Sequence, residues 1–423
     1  MTEDDARGAV ARAFREERTS VLATLIRQTG DFGLAEDAVQ DAFAAALVTW
    51  RRDGVPDRPG AWLLVAARRR AIDLARRSRS QHERAARLAA SLDPDAPAEE
   101  PDPIGDDRLR LIFTCCHPAL DLPARVALTL RTVGGLTTGE IARAFLVAEP
   151  TMGKRLVRAK HKIAEAGIRY RVPEADELPA RLRGVLRVVY VVFTAGYAPA
   201  DGDRAVRAEL CAEAIRLGRL LCELLPAETE AWALLALMLL HDARRAARTD
   251  TDGRFVPLDR QDRGRWDRTR ISEGLAALRR SDRPGPYQLQ AAIAALHLAE
   301  RTDWGAIAGL YDRLCELGPS PVAEVSRAVA AGFADGPATG LALLEPLLAA
   351  PAMRDYQPLH AAHAELLRRA GDRAGAAAAY RRAIELTGNA VERAELLRRY
   401  NEVQNDDVQN DDVQNGSAPA TVR

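Results

Sequence analysis

Residues 62–77 read WLLVAARRRAIDLARR and predict a helix with a dense set of basic side chains on one side. At about 100° per residue, Leu64, Ala71 and Ile72 share the apolar face, and Trp62 stands at the helix start. The polar face carries Arg69, Arg70, Asp73, Arg76 and Arg77. Arginines hold phosphates and an aromatic ring stacks an unpaired base, so this face is a candidate nucleic-acid surface. A solvated basic face over a small core is the alternative interpretation.

A second basic segment, residues 136–163, reads LTTGEIARAFLVAEPTMGKRLVRAKHKI and predicts two helices joined by a short turn. Thr137 or Thr138 can cap the first helix, and Glu140 then completes a capping box. Pro150 marks the start of the second helix. Its apolar stripe consists of Met152, Leu156, Ala159 and Ile163. Two helices with a short turn and a basic outer face indicate a helix-turn-helix.

The outer face of this second helix carries the candidate DNA contacts. At its N-terminal end, the side chains placed to meet base edges are Thr151, Lys154 and Arg155. Further along, those placed to meet phosphates are Arg158, Lys160 and Lys162. A helix hairpin without any role in DNA binding is the alternative.

An acidic helix precedes both basic segments, at residues 36–50, EDAVQDAFAAALVTW. The apolar side chains at helical spacing, which we expect in the core, are Val39, Phe43, Ala46, Leu47 and Trp50. Beside them lies an acidic patch of Glu36, Asp37, Gln40 and Asp41. Such a patch can dock the basic surface of a partner.

Charge is distributed unevenly along a chain of 423 residues whose formal net charge is zero. Residues 91–107 hold seven acidic side chains and no basic one, and they are rich in proline. This composition favours a solvated linker between the two basic segments. The layout suits two separate cationic surfaces that bind one polyanion while the linker stays away from it.

The remaining features predict an all-α intracellular protein. Strand-like alternation is hard to find, and proline and glycine fall in clusters between helical stretches. The N-terminus lacks the pattern of a signal peptide, and no apolar run is long enough to span a membrane. Five cysteines in a long chain favour a reducing compartment, so we expect a cytoplasmic, nucleoid-associated protein. Cys115, Cys116 and His117 lack the partners of a metal site, and no catalytic motif is present, so neither an enzyme nor a cofactor is predicted.

Three segments, in this order and spacing, resemble the extracytoplasmic-function group of RNA polymerase sigma factors. They are AEDAVQDAFAAALVTW, AWLLVAARRRAIDLARR and LTTGEIARAFLVAEPTMGKRLVRAKHKI, with the acidic linker before the third. The resemblance implies a region 2 domain at residues 1–90, a linker at 91–107 and a region 4 domain at 108–172. One position departs from the pattern, because Arg69 stands where many relatives carry Asn.

The resemblance also implies partners and contact residues. Core RNA polymerase would be bound at its β′ clamp by the Asp37–Trp50 helix, through Asp37, Gln40, Asp41, Phe43 and Trp50. The −10 promoter element would be melted and read by the loop 51–60 and by Trp62, Arg69, Arg70, Asp73, Arg76 and Arg77. The −35 element would be read by the helix from Pro150, through Thr151, Lys154, Arg155, Arg158, Lys160 and Lys162.

A long helical extension follows the two domains. Residues 173–287 hold apolar helices, and residues 288–398 contain segments that align with steps of 34 and 35 residues, at Thr302, Gly336 and Gly371. That is the period of tetratricopeptide repeats, whose stacked helix pairs form a concave surface for a regulatory protein or peptide. A passive brace is the alternative. Residues 399–423 contain VQNDDVQNDDVQN and are predicted to be a disordered acidic tail.

The whole arrangement resembles the subgroup of these sigma factors with a long tetratricopeptide-like C-terminal extension. Phrases that carry this likeness are FTCCHPAL, LLALMLLHDARRAAR and PGPYQLQAAIAA. It implies regulation through the extension. Two functional classes remain open from the residues themselves: a sigma factor that acts with core polymerase, and a stand-alone helix-turn-helix regulator with a repeat-based sensor domain.

Overall fold

The computed structural model describes residues 3–77, 107–145, 147–199, 201–202, 206–318 and 320–415. Within these ranges the chain forms eighteen α-helices and one pair of two-residue parallel strands, which confirms the predicted all-α class. The chain divides into two compact units, Met1–Val191 and Val192–Arg423. The predicted boundaries of the individual domains stay predictions.

The first unit is built from helices in two groups, one before and one after the undescribed residues 78–106. The bounds are α1 Glu3–Thr29, α2 Phe32–Asp53, α3 Pro59–Arg77, α4 Asp107–Cys115, α5 Leu122–Thr132, α6 Thr138–Ala144 and α7 Glu149–Glu165. A further helix, α8 Leu178–Tyr197, runs past the end of this unit.

Local signals fix the ends of α2 and α3. Asp31 caps α2 by accepting hydrogen bonds from the N–H groups of Gly33 (2.9 Å) and Leu34 (3.0 Å). The helix stops at Gly54, whose φ of 90° favours glycine because it lacks a Cβ. A short loop then brings α3 back to pack against α2.

The core of α1–α3 is closed around a buried tryptophan. Trp50 is 1% exposed, and its ring lies edge-on to that of Trp62 with centroids 5.6 Å apart. Leu22, Leu25 and Leu63 are fully buried beside them. The acidic α2 and the basic α3 are therefore held in one rigid packing arrangement.

Helix α1 also contacts the second group of helices directly. The Arg18 guanidinium donates hydrogen bonds to the carbonyl oxygens of Thr132 (2.8 Å) and Arg131 (3.2 Å). The Tyr170 hydroxyl oxygen lies 3.0 Å from the carbonyl oxygen of Ala23 and 3.1 Å from that of Asp107, so its one proton is donated to either of them. The two groups thus pack together in this structure. Most of the predicted linker lies outside the described residues, but its last residue, Asp107, already begins α4.

The second unit contains the remaining helices and the strand pair. The bounds are α9 Ala208–Leu224, α10 Thr229–Asp242, α11 Arg268–Arg279, α12 Pro286–Leu296, α13 Trp304–Leu317, α14 Pro321–Ala334, α15 Pro337–Ala349, α16 Gln357–Ala370, α17 Arg373–Leu386 and α18 Ala390–Asn415. The strands are β1 Asp201–Gly202 and β2 Gly388–Asn389.

Helix α10 is apolar on nearly every side because other helices surround it. It packs against α9, α11 and α12, and nine of the ten residues from Ala231 to Leu240 are buried. Across the described part of the chain, no helix combines the length and apolarity needed to cross a membrane. Four of the free cysteines are buried, at Cys115, Cys116, Cys211 and Cys222.

The segments that align in the sequence form corresponding helices. They are α13, α15 and α17, which alternate with α14, α16 and α18, and each helix packs on the one before it. In α17, Ala376, Tyr380 and Ala383 are fully buried. Membership of the tetratricopeptide class itself stays a prediction.

The end of the second unit is tied to its beginning. Strand β1 pairs in parallel with β2, and the Asn389 side-chain amide donates a hydrogen bond to the Pro199 carbonyl oxygen (3.0 Å). Helix α18 then continues to Asn415, so the predicted start of a disordered tail at residue 399 is wrong. The helix persists because Val403, 3% exposed, docks into the core around Tyr380. Residues 416–423 lie outside the described part.

Gly340, at the crossing of α14 and α15, predicts a sharp local effect on stability. A Cβ on Gly340 would lie 2.6 Å from the Ala328 carbonyl oxygen, whereas a Cβ on Gly309 in α13 would meet nothing within 4 Å. We expect Gly340→Ala to lower the free energy of unfolding by about 1–3 kcal/mol. Urea unfolding followed by circular dichroism measures it. As the matched control, Gly309→Ala should be neutral or slightly stabilising, and equal effects of both changes would contradict the assignment.

Candidate nucleic-acid interface

The helix-turn-helix is formed by α6 and α7. Thr137 caps α6: its hydroxyl accepts a hydrogen bond from Glu140 N–H (3.1 Å), and the Glu140 carboxylate accepts one from Thr137 N–H (2.7 Å). These bonds lower the pKa of Glu140. The capping box was therefore predicted correctly, and it sets the angle at which the chain enters the motif.

Helix α7 separates an apolar and a polar face cleanly. Its buried residues are the predicted stripe of Met152, Leu156, Ala159 and Ile163. On the other side, the exposed members of the predicted −35 set are Thr151, Lys154, Arg158 and Lys162, while Arg155 is half-buried. A helix with this division can lay its outer face in the major groove.

Lys160 is placed differently from the other predicted −35 residues. Its ammonium nitrogen lies 2.5 Å from Glu36 Oε2 on α2. The reason is its position beside Ala159 and one turn after Leu156, which puts it at the edge of the buried stripe. In this arrangement Lys160 faces α2, and its phosphate contact stays a prediction.

Val157 is a candidate DNA contact that the sequence patterns did not predict. Its side chain is 61% exposed, three residues after Lys154 on the same open side of α7. An apolar side chain on a groove-facing surface can contact the methyl group of thymine. The available signal was an apolar residue that falls off the Met152–Ile163 stripe.

The predicted −10 residues lie along one side of α3. Arg69, Asp73 and Arg76 are exposed, and Trp62 is half-buried against Trp50. Arg77 ends the helix, and its side chain lies outside the described residues.

Helices α2 and α3 bring two predicted sets together. The Arg70 guanidinium Nε lies 2.5 Å from Asp41 Oδ2, so a predicted DNA contact pairs with a predicted polymerase contact. An open hollow of about 390 Å³ lies between the two helices. Its lining is Asp41, Ala42, Ala45, Ala66, Arg69, Arg70 and Asp73. The lining therefore combines charged side chains from both helices with small alanines.

The predicted polymerase-binding residues of α2 divide into exposed and buried ones. Asp37 and Gln40 are exposed and Asp41 is half-buried, whereas Phe43 is 6% and Trp50 is 1% exposed. Phe43 stacks edge-on with Phe14 at 5.1 Å. Here Phe43 and Trp50 present no surface to a partner, because their rings fill the core that positions α2.

Two apolar residues of α2 are exposed, and one of them was predicted to be buried. Leu47, expected in the core stripe, is 43% exposed, and Val48 is 72% exposed. The prediction for Leu47 is wrong because the buried residues at this end of α2 are Ala46 and Trp50, and Trp50 packs on Trp62 of α3. Together the two side chains make an apolar patch beside the acidic one.

Glu36 is a buried acid with two basic neighbours from the other group of helices. It is 8% exposed, and its carboxylate oxygens lie 2.5 Å from Arg131 Nε on α5 and 2.5 Å from Lys160 Nζ on α7. We call Glu36, Arg131 and Lys160 the charge cluster. The contact with Arg131 lacks hydrogen-bond geometry and is purely ionic.

The protonation state of Glu36 affects how α2 packs against α5 and α7. Burial pushes the pKa of Glu36 upward, but the charges of Lys160, Arg131 and Arg18 outweigh it, so the pKa is lowered. A lowered pKa contributes stability that is present above the ordinary value and lost as the pH falls through the folded one. Next to it, burial and the charge of Glu36 raise the pKa of Asp37.

Removing the charge of Glu36 should loosen α5 and α7 from α2. Glu36→Gln leaves Arg131 and Lys160 without their shared anion, and we expect a loss of about 2 kcal/mol in the free energy that holds the two groups together. Faster hydrogen exchange of α7 and α2 amides would report it. The control is Asp53→Asn, because the Arg52–Asp53 pair is exposed by 78% and 51% and should contribute little. Unchanged exchange in Glu36→Gln would show that the charge cluster does not hold the groups.

Comparison with known families gives three matches along the chain. The family described as sigma-70 region 2 matches residues 13–81, and that described as sigma-70, region 4 matches residues 110–163. Residues 181–282 match a family of unknown function, DUF6596. The two sigma-70 matches contain α2, α3 and the helix-turn-helix.

Related proteins extend these matches. The uncharacterized protein R00370 of Rhizobium meliloti is 43% identical over 400 residues, 92% of this chain and 94% of its own length. The probable ECF RNA polymerase sigma factor SigI of Mycobacterium tuberculosis is 32% identical over 182 residues, 42% of this chain and 60% of its own length. The ECF RNA polymerase sigma factor SigK of Mycobacterium bovis is 30% identical over 154 residues, 35% of this chain and 80% of its own length. With both sigma-70 regions matched and a sigma factor aligned over most of its length, the chain belongs to the extracytoplasmic-function sigma factors of the sigma-70 family.

Proposed function

We propose that this sigma factor binds core RNA polymerase and directs it to promoters through two separate DNA surfaces. The observation that carries the proposal is the exposed cationic face of α7, which stands opposite a fully buried apolar stripe. A basic face of this kind gains most of its affinity from phosphates and its specificity from base edges.

At the −35 element, the proposed contacts to base edges are Thr151, Lys154 and Arg155, at the N-terminal end of α7. Arg158 and Lys162 follow on the exposed side and would neutralise phosphates. Lys160 would join them only after leaving Glu36. Full engagement of DNA by α7 therefore requires α7 to separate from α2.

At the −10 element, the proposed surface is α3 with the loop before it. Opening a duplex costs roughly 1.4 kcal/mol per base-pair step, and stacking of a freed base on an aromatic ring returns about 1–3 kcal/mol. Trp62 would supply stacking, and the proposed phosphate and base contacts are Arg69, Arg70, Asp73, Arg76 and Arg77. The balance is close to zero, which is why the surface would act only while polymerase holds the DNA.

Core polymerase would bind the outer side of α2. The proposed contacts are the acidic patch of Asp37, Gln40 and Asp41, with Phe43 and Trp50 acting from the core as positioning residues. The exposed apolar side chains of Leu47 and Val48 support this proposal, because a patch beside charged residues is typical of an interface. Glu36, next to Asp37 on α2, is covered by Arg131 and Lys160.

The alternative, a stand-alone helix-turn-helix regulator, leaves α2 and α3 without a task. Run-off transcription with purified core polymerase separates the two proposals. A sigma factor should start a transcript from its promoter, whereas a stand-alone regulator would bind the same DNA without polymerase and start none.

Reversing one charge on α7 should divide DNA reading from polymerase binding. We expect Arg155→Glu to lower promoter-specific run-off transcription at least about tenfold, because it removes a base contact and repels the phosphates. Co-elution with core polymerase should be unchanged. The control is Arg169→Glu, an exposed change of the same charge outside α7. Equal loss of transcription and polymerase binding in Arg155→Glu would contradict the division.

We further propose that the extension regulates the factor through a protein or peptide bound to its repeats. A run of ring contacts crosses three repeat helices and supports a binding surface there. The Trp304 and Phe333 rings stack at 4.4 Å, and the Arg369 guanidinium lies 4.0 Å above the Phe333 ring. Aromatic and arginine side chains are enriched at the centres of interfaces.

A chain that stops at the end of α8, at Tyr197, tests the regulatory role. We expect its run-off yield to differ at least about fivefold from that of the full chain, because a regulatory coupling has that size. Thermal melting of the short chain controls for loss of folding. Equal yields with and without the extension, under every condition tried, would reduce the extension to a brace.

A further inference from the structure

A cluster of basic side chains lies inside the second unit, where the end of α8 meets the end of α10. The Arg244 guanidinium NH2 lies 3.2 Å from the Tyr197 hydroxyl and 3.2 Å from His241 Nδ1. The Arg248 guanidinium carbon lies 3.8 Å from the centre of the Tyr197 ring. His297, directly after α12, is the fifth member, because the charge of Arg244 acts on it. We call Tyr197, His241, Arg244, Arg248 and His297 the basic cluster.

The two arginines of the basic cluster are buried without enough acceptors. Arg244 and Arg248 are each only 6% exposed. Among the described residues, Arg244 Nε, Arg248 NH1 and His297 Nδ1 have no hydrogen-bond partner. A buried charged donor without an acceptor is costly, so such groups are normally paired.

Nearby acids do not supply the missing acceptors. Asp242 is fully buried next to the cluster, but its carboxylate pairs with Arg245 (3.3 Å) and Arg270. Glu392 at the start of α18 acts on Arg248 through its charge, but its described hydrogen bond is to Thr387 (3.5 Å). The stacking of Arg248 on Tyr197 satisfies the guanidinium face and leaves its N–H edge open.

Burial and the nearby positive charge lower the pKa values of both histidines of the cluster. Burial and the charges of Arg244 and Arg248 hold the pKa of His241 well below its ordinary value. Burial and the charge of Arg244 lower the pKa of His297 to about 4. Both imidazoles are therefore neutral near pH 7, and no further cation is tolerated here.

We propose that the basic cluster binds the phosphate group of a small ligand, either inorganic phosphate or a phosphorylated metabolite. The guanidinium fork presents parallel N–H donors that match two phosphate oxygens, and an anion between the two arginines would supply acceptors for Arg244 Nε and Arg248 NH1. Tyr197, His241 and His297 are half-buried, so each keeps part of its surface in contact with solvent.

The basic cluster lies between the first and the last helix of the unit, so a bound anion would affect how they are held together. Tyr197 ends the first helix of the unit, Arg244 and Arg248 follow α10, and Glu392 belongs to the last helix. Strands β1 and β2 already join these two ends of the unit. An anion between the arginines would strengthen that closure, because it binds the folded unit alone. The proposal concerns ligand binding and does not depend on how the factor uses polymerase.

Thermal unfolding of the full chain tests the proposal, with inorganic phosphate and glycerol 3-phosphate as separate probes at constant ionic strength. We expect a rise in Tm of at least about 2 °C with one or both. A rise with inorganic phosphate indicates the free anion, and a rise with glycerol 3-phosphate alone indicates a phosphorylated metabolite. No rise with either probe overturns the proposal.

Variants localise the effect. Arg248→Gln should weaken phosphate binding at least about tenfold in calorimetric titration, because it removes an ionic partner of the anion. The control is Arg254→Gln, whose side chain is 73% exposed and pairs with Asp252. Equal binding by the wild type and both variants, or equal loss in both, overturns the proposal.

A measurement on the wild type covers the case in which Arg248→Gln fails to fold. Phosphate next to His297 should raise the pKa of its imidazole from about 4 toward the ordinary range, which histidine NMR signals report. Titration curves of His297 and His241 that are unchanged by saturating phosphate would place any binding elsewhere and overturn the proposal.

Discussion

The first unit depends on a buried carboxylate. Glu36 lies on the helix proposed to bind polymerase, and its two neighbours come from α5 and from α7, which carries the proposed DNA-reading surface. Because a buried charge must stay paired, the two groups of helices are held together wherever this pair is intact. The hydrogen bonds from Arg18 and Tyr170 to backbone carbonyl oxygens reinforce the same packing. Both proposed functional surfaces therefore depend on the ionic contacts of the charge cluster.

The second unit shows the opposite electrostatic condition. In the first unit a buried anion has two cations, whereas in the second unit Arg244 and Arg248 are buried cations with too few anions among the described residues. The same cost of an unpaired buried charge explains both features. It makes the packing of α2 with α5 and α7 sensitive to protonation, and it makes the basic cluster a place where an external anion gains affinity.

Sequence patterns predicted the structure best where the pattern and the feature that it predicts lie within one helix. The stripe from Met152 to Ile163 and the capping box of Thr137 and Glu140 appeared as predicted, since 3.6-residue periodicity and capping are local properties. The pattern was less reliable at edges of stripes. Leu47 was expected inside and is exposed, while Lys160 was expected outward and pairs with Glu36. The predicted start of the disordered tail was wrong for a similar reason. The polar repeats predict disorder, but Val403 is buried in the cluster that contains Tyr380.

The sequence by itself determined the helical class, the helix-turn-helix, the order of the sigma-70 segments and the presence of a repeating extension, because these follow from residue types at short, fixed spacing. Only the tertiary structure decided which charged side chains are exposed and which are paired. It brought Glu36 to Arg131 and Lys160, and it gathered Tyr197, Arg244, Arg248 and His297 from distant parts of the chain. The physical reason is that burial and Coulomb energy depend on distances between elements, and the spacing of residues along the chain does not encode those distances.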